Sequence, residues 1–145
     1  MRVGFYLAPG QPVERVLPLI ASAAARAGQR MLVVADDDAL LDRIGGALWE
    51  TSPAEFLANG RADAPHAAHQ PVLLSRECAA ANGAALVALA DGMWREEAEG
   101  FERALLFFDD NGRAAARAVW SRFDGREDVD REFHELVNGK WERKR

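Results

Sequence analysis

A chain of 145 residues, 49% hydrophobic and 28% charged, has the length and composition of one ordinary globular domain with a real core, and any second domain would be a fragment. It contains no run of about 18 apolar residues able to span a bilayer, and Pro9, Gly10 and Pro12 cut the N-terminal apolar stretch short of a signal sequence. The one cysteine, Cys78, permits neither an intramolecular disulfide nor a thiolate metal site, so a reducing, cytoplasmic setting is expected.

The net charge of −5 is unevenly divided. Residues 1–110 carry 9 Arg against 16 Asp and Glu, whereas residues 111–145 carry 9 Lys and Arg against 7 acids. An acidic body disfavours direct nucleic-acid binding, which depends on neutralising phosphates, but leaves room for a local basic site facing an acidic partner.

In chain order, Val3 to Leu7 reads as a buried first strand closed by Ala8-Pro9-Gly10. Val13, Val16, Leu17, Ile20, Ala24 and Ala27 recur at helical spacing up to Gly28, with Pro18 expected to kink or delay the helix. The uninterrupted MLVVA after Arg30 suits a central strand buried on both faces. Asp36, Asp37 and Asp38 then favour the start of a second helix, whose apolar face is Leu40, Leu41, Ile44, Ala47 and Leu48 and whose end is Trp49. Ser52 to Phe56 suggests a short capped turn, and residues 59–70 a polar loop. PVLLS, ALVALA and ALLFF supply three more strands, with an acidic surface excursion around Trp94 before the last. Asn111 is placed to cap a helix running to about Phe123, and the charged tail from about 125 reads as one more helix with a frayed end. Alternating strands and helices predict a single domain over residues 1–145, a three-layer α/β/α sandwich with a largely parallel sheet of about five strands.

Catalytic chemistry finds little support. No GxGxxG or GxxxxGK[ST] follows any strand, and the only lysines are Lys140 and Lys144, so a phosphate cradle is missing. His66 and His69 lie beside Pro65 in the loop without an accompanying ligand motif, which argues against zinc. His134, alone among charges, is expected to be solvated. Ser75, Cys78 and Ser121 stand in no nucleophile motif. The one enzymatic alternative is a Mg²⁺-dependent phosphoryl-transfer or nuclease-like site on Asp36, Asp38, Asp109 and Asp110, at two strand ends; the plainer reading is that these acids begin helices.

The segment from Asn111 to Phe123 contains no acid at all. At about 100° per residue, Arg117 lies roughly 40° from Arg113 and Trp120 roughly 20° to its other side, while Arg122 points away. Ala116, Val119 and Phe123 form the neighbouring apolar strip. Two arginines beside an indole suit a ligand with a carboxylate and an apolar group; a solvated helix with a half-buried Trp is the equal alternative on this geometry.

The stretch GQRMLVVADDDALLDRIGGALWETSPAEFLANG, together with FYL, PVLLS, NGAALVALAD and FERALLFFDDNGRAAARAVWSRF, resembles the chi subunit of bacterial DNA polymerase III holoenzyme over residues 3–123. The resemblance implies a non-catalytic accessory subunit of the clamp-loader assembly, with no cofactor. It implies binding to the acidic C-terminal tail of single-stranded DNA-binding protein, which ends in Asp residues and a terminal Phe, and to the psi subunit. Carried over by position, Arg113, Arg117 and Trp120 fall on the tail-binding helix, with Phe107 or Phe108 near the pocket. Trp49 and Phe56 fall at the psi-contact patch, where core packing or another partner is the alternative. Ser121 stands where some members have a basic residue, and the chain aligns poorly from Gly125, although Trp141-Glu-Arg-Lys-Arg resembles some members' tails.

Overall fold

The computed structural model describes residues 1–51 and 57–145. Among the described residues, eight strands form one sheet: β1 (Arg2–Leu7), β2 (Met31–Val34), β3 (Asn59–Arg61), β4 (Val72–Ser75), β5 (Leu86–Leu89), β6 (Arg103–Phe108), β7 (Asp130–Val137) and β8 (Lys140–Arg143). Their spatial order is β3-β4-β2-β5-β6-β1-β7-β8, with every neighbouring pair parallel except β7 and β8. Helices α1 (Val13–Arg26), α2 (Asp38–Thr51) and α3 (Arg113–Arg122) provide crossovers, which parallel neighbours require.

Alternation along each strand sends side chains to two separate cores. Tyr6, Met31, Val33, Leu74, Ala88, Leu105 and Phe107 pack under α1 and α2. Val3, Phe5, Leu32, Val34, Leu73, Val87 and Leu106 pack on the opposite face, under Ala116 and Val119 of α3 and Phe123 at its C-terminal end. The apolar runs β2, β4 and β5 are buried at every position, as a strand covered on both faces must be. The three-layer, mostly parallel α/β architecture is therefore the one the patterning indicated.

Helix ends follow local chemistry. The Asp37 carboxylate accepts the Ala39 N–H at 2.9 Å and caps α2. At the end of α1, Gly28 adopts φ +72, the Gly28 N–H donates to Ala25 O, and the Gln29 N–H donates to Ala24 O, closing a Schellman motif. The helix continues through Pro18, which is buried, so no break occurs there.

Three strands correct the five-strand expectation. β3 lies within the stretch read as a loop, and it is short enough to carry almost no apolar pattern. The tail read as a frayed helix is instead the β7–β8 hairpin. Its turn is Asn138-Gly139, with φ +51 and +79, the pair of left-handed residues that a two-residue type I′ hairpin needs. β7 sits nearly at the sheet edge and is only partly covered on both faces, so its charged residues are tolerated and mask the strand period.

One expectation is refined and one changes. The segment around Trp94 runs at the surface, with Met93, Glu96 and Glu97 exposed, but it is anchored by the fully buried Ala98 and by the Trp94 ring, which meets Phe123 edge-on at 5.3 Å. His134 is not free in solvent, because its ring stacks on Tyr6 with centroids 4.6 Å apart and lies 3.2 Å from Glu132 Oε1.

The hairpin turn is testable. Gly139→Val forces a β-branched residue into the left-handed region and should cost about 1–3 kcal/mol in urea unfolding, whereas Asn138→Gly should leave the midpoint nearly unchanged.

Candidate functional site

α3 is entered through a short 3₁₀ turn, Asp110–Gly112. Asp109 caps this turn, its Oδ1 accepting the Gly112 N–H at 3.2 Å, while the residue at the N-cap of α3 is Gly112 rather than the expected Asn111, and no side chain caps the helix itself. Arg113 then sits at the positive end of the helix dipole, an unfavourable place for a cation, and Asp110 Oδ1 offsets this from 2.9 Å. Ala116, Val119 and Phe123 face the sheet and are buried, so the helical phase read from spacing is the one adopted. Arg122 faces away and meets Glu96 at 3.4 Å.

Between α3 and the end of the β7–β8 hairpin lies a groove of about 450 Å³. Arg113, Arg117, Trp120 and Ser121 line it from α3, and Phe5, Phe108 and Phe133 form its aromatic floor. Lys144 and Arg145 line its far side. The four residues expected together, Arg113, Arg117, Trp120 and Phe108, thus share one cavity. Phe107 does not join them: the period of two turns it to the other core, where it is 2% exposed and stacks on Tyr6 at 5.3 Å.

The indole of Trp120 is held from several sides. Phe5 packs against it at 4.9 Å, and the Arg131 guanidinium lies 4.8 Å from the ring centroid. Arg131 also donates to the Trp120 carbonyl at 2.6 Å and pairs with Asp124 at 2.8 Å. One arginine on β7 therefore fixes both the backbone and the ring of the residue that walls the groove. Arg117, in contrast, has no ion-pair or hydrogen-bond partner among the described residues, so its guanidinium is available.

Phe5, Phe133, Arg131, Lys144 and Arg145 were not singled out from the sequence. Phe5 could have been found from its place two residues after Val3 on the same strand face. The others depended on recognising the Asn-Gly hairpin.

Trp49 stands on α2, hence on the opposite side of the sheet from the groove, and is 45% exposed. Phe56, its expected companion, lies outside the described residues.

The carboxylates considered for Mg²⁺ are engaged otherwise. Asp38 pairs with Arg61, Asp36 with Arg76 at 3.2 Å, Asp110 with Arg113, and Asp109 with backbone. Among the described residues, no group of three or more His, Cys, Asp or Glu is placed to hold a metal, and His66 and His69 belong to none. No helix among them is long and apolar enough to cross a membrane.

A family model described as DNA polymerase III chi subunit, HolC, matches residues 1–127. The chain belongs to the DNA polymerase III chi subunit family. No curated protein matches it. Membership makes this chi-family chain an accessory part of the replicative polymerase assembly, with other proteins as partners. The match contains all of α3 and ends before β7, so one side of the groove lies inside it and the other beyond.

At the carboxyl edge of the sheet, Asp91 joins the strand ends. Its carboxylate receives both Arg95 Nη1 at 2.7 Å and Nη2 at 2.9 Å, and the Asp36 and Met93 N–H groups. Burial alone would raise its pKa, but the Arg95 hydrogen bonds and the two backbone donors outweigh it and hold the carboxyl below the ordinary range. A depressed carboxyl contributes stability above its unfolded pKa of about 3.9 and loses it as pH falls through the folded value. Asp91→Asn should therefore be less stable than the native chain at pH 7, with the gap narrowing below about pH 4 in urea titrations; a gap independent of pH would contradict this linkage.

Proposed function

We propose that this chain is a non-catalytic, cytoplasmic accessory subunit that binds the acidic C-terminal tail of single-stranded DNA-binding protein in the α3 groove. The observation that carries the reading is the meeting of the unpaired Arg117 with Trp120, Phe108 and Phe133 in one cavity of about 450 Å³. That volume is in the range of small-ligand sites and holds an aromatic side chain together with a carboxylate. The aromatic floor removes the terminal Phe ring from water, while Arg117 and Arg113 meet the carboxylates around it. A peptide lacking either element uses only half of the surface.

The link to the clamp loader, through a psi subunit or an equivalent component, is assigned to the α2 side, where Trp49 stands; Phe56, the other residue proposed for it, lies outside the described residues. Placing it there leaves the groove open, because α2 and α3 cover opposite faces of the sheet. Both partners are then bound at once without competing for residues.

Calorimetric titration with an acidic peptide ending in Phe tests the reading directly. Binding should be in the micromolar range, about −8 kcal/mol, and should weaken as salt rises. Arg117→Ala should remove about 1.5–3 kcal/mol, whereas Arg122→Ala, turned toward Glu96, should bind as the native chain does. Absence of binding at low salt, or equal losses from both substitutions, would overturn it. A pull-down with single-stranded DNA-binding protein should likewise succeed with its last residues present and fail without them.

A further inference from the structure

We propose that the end of the C-terminal hairpin is the second cationic wall of this groove and that Lys144 and Arg145 set which peptides it accepts. The proposal rests on the peptide-binding reading above and deepens it. It concerns residues beyond the family match, which ends at residue 127.

The placement of these two residues has a specific backbone cause. Along a regular strand, successive side chains point to opposite faces, so adjacent residues would not line one cavity. At the end of β8, however, the N–H groups of Lys144 and Arg145 both donate to the Phe133 carbonyl, at 2.7 and 3.4 Å. Two residues thus oppose one, the arrangement of a β-bulge, which bends the strand and re-aims its side chains. Both Lys144 and Arg145 consequently line the groove together with Phe133.

The charges are distributed so that neither wall is complete alone. On α3, Arg113 shares its charge with Asp110 and Ser121 is neutral, so Arg117 is the cation there with no acidic partner among the described residues. On the hairpin, Lys144 lies 3.5 Å from Glu142, while the Arg145 guanidinium has no carboxylate partner among the described residues and lies 5.9 Å from the Trp120 ring. Each wall therefore offers one uncommitted guanidinium across an aromatic floor. Among the described residues, no Asp or Glu side chain lines the cavity to relieve their mutual repulsion. An anion reaching both sides supplies that relief, and a chain terminus does so best: a free terminal carboxylate at one wall, the preceding acidic side chains at the other, and the terminal aromatic ring on the floor between them.

The experiment is calorimetry on the full chain with an acidic peptide ending in Phe, compared with the same peptide amidated at its C-terminus. The native protein should prefer the free carboxylate. Lys144→Ala/Arg145→Ala should weaken that peptide about 10-fold, flatten its salt dependence and shrink the preference over the amide, with no change in melting temperature because both side chains are exposed. Arg145→Lys should restore part of the loss. Should the native protein bind, and Arg117→Ala weaken binding while the double variant matches the native protein, the hairpin is not a wall of the site although the peptide-binding reading stands. Should the native protein not bind at all, that reading falls, and this one with it.

Discussion

The site depends on β1 being paired in parallel to β6 on one side and β7 on the other. That ladder aligns three strands so that Phe5, Phe108 and Phe133 reach the same face, one from each strand, and together make the floor on which Trp120 rests. A shift of register by a single residue on any of the three would turn its aromatic side chain into the opposite core. Tyr6 and Phe107 show the alternative outcome: each is one residue away from a floor residue, and both lie stacked beneath α1 and α2.

Charge is organised around that floor by a simple contrast. Elsewhere on the surface, arginines are matched to acids: Arg61 to Asp38 and Asp42, Arg76 to Asp36, Arg95 to Asp91, Arg126 to Glu99 and Asp128. Apart from the part-buried Arg95–Asp91 pair, these are exposed and contribute little stability individually, but together they occupy many of the cations. Within the groove Arg113 and Lys144 keep acidic neighbours, whereas Arg117 and Arg145 have no Asp or Glu partner among the described residues, and no Asp or Glu is among the residues lining the cavity. A net acidic chain can in this way present a positive site, since the field a small anionic ligand meets is local and screened within about 10 Å.

Arg131 connects the two halves. By holding the Trp120 carbonyl and covering its ring, it ties the end of α3 to β7, so helix and hairpin meet at a fixed separation. The groove is consequently an interface between a segment inside the chi-family match and one beyond it, and the two are tied together by a side chain that is not among its lining residues.

By itself, the sequence determined the elements with undivided signals. Apolar runs such as MLVVA and ALVALA can only be strands buried on both faces, and 3.6-residue periodicity placed Arg113, Arg117 and Trp120 on one stripe of α3 before any tertiary contact was known. The hairpin was written in Asn138-Gly139, but β7 is half-covered and charged, so its alternation was too diluted to outweigh a helical reading. Tertiary structure alone decided which of Phe107 and Phe108 faces the groove and what stands opposite α3. The first follows from strand order, which pairs β1 with residues of β6 and β7 more than a hundred positions away, and the second from the hairpin and its bulge at Phe133; neither leaves a periodic trace in the sequence.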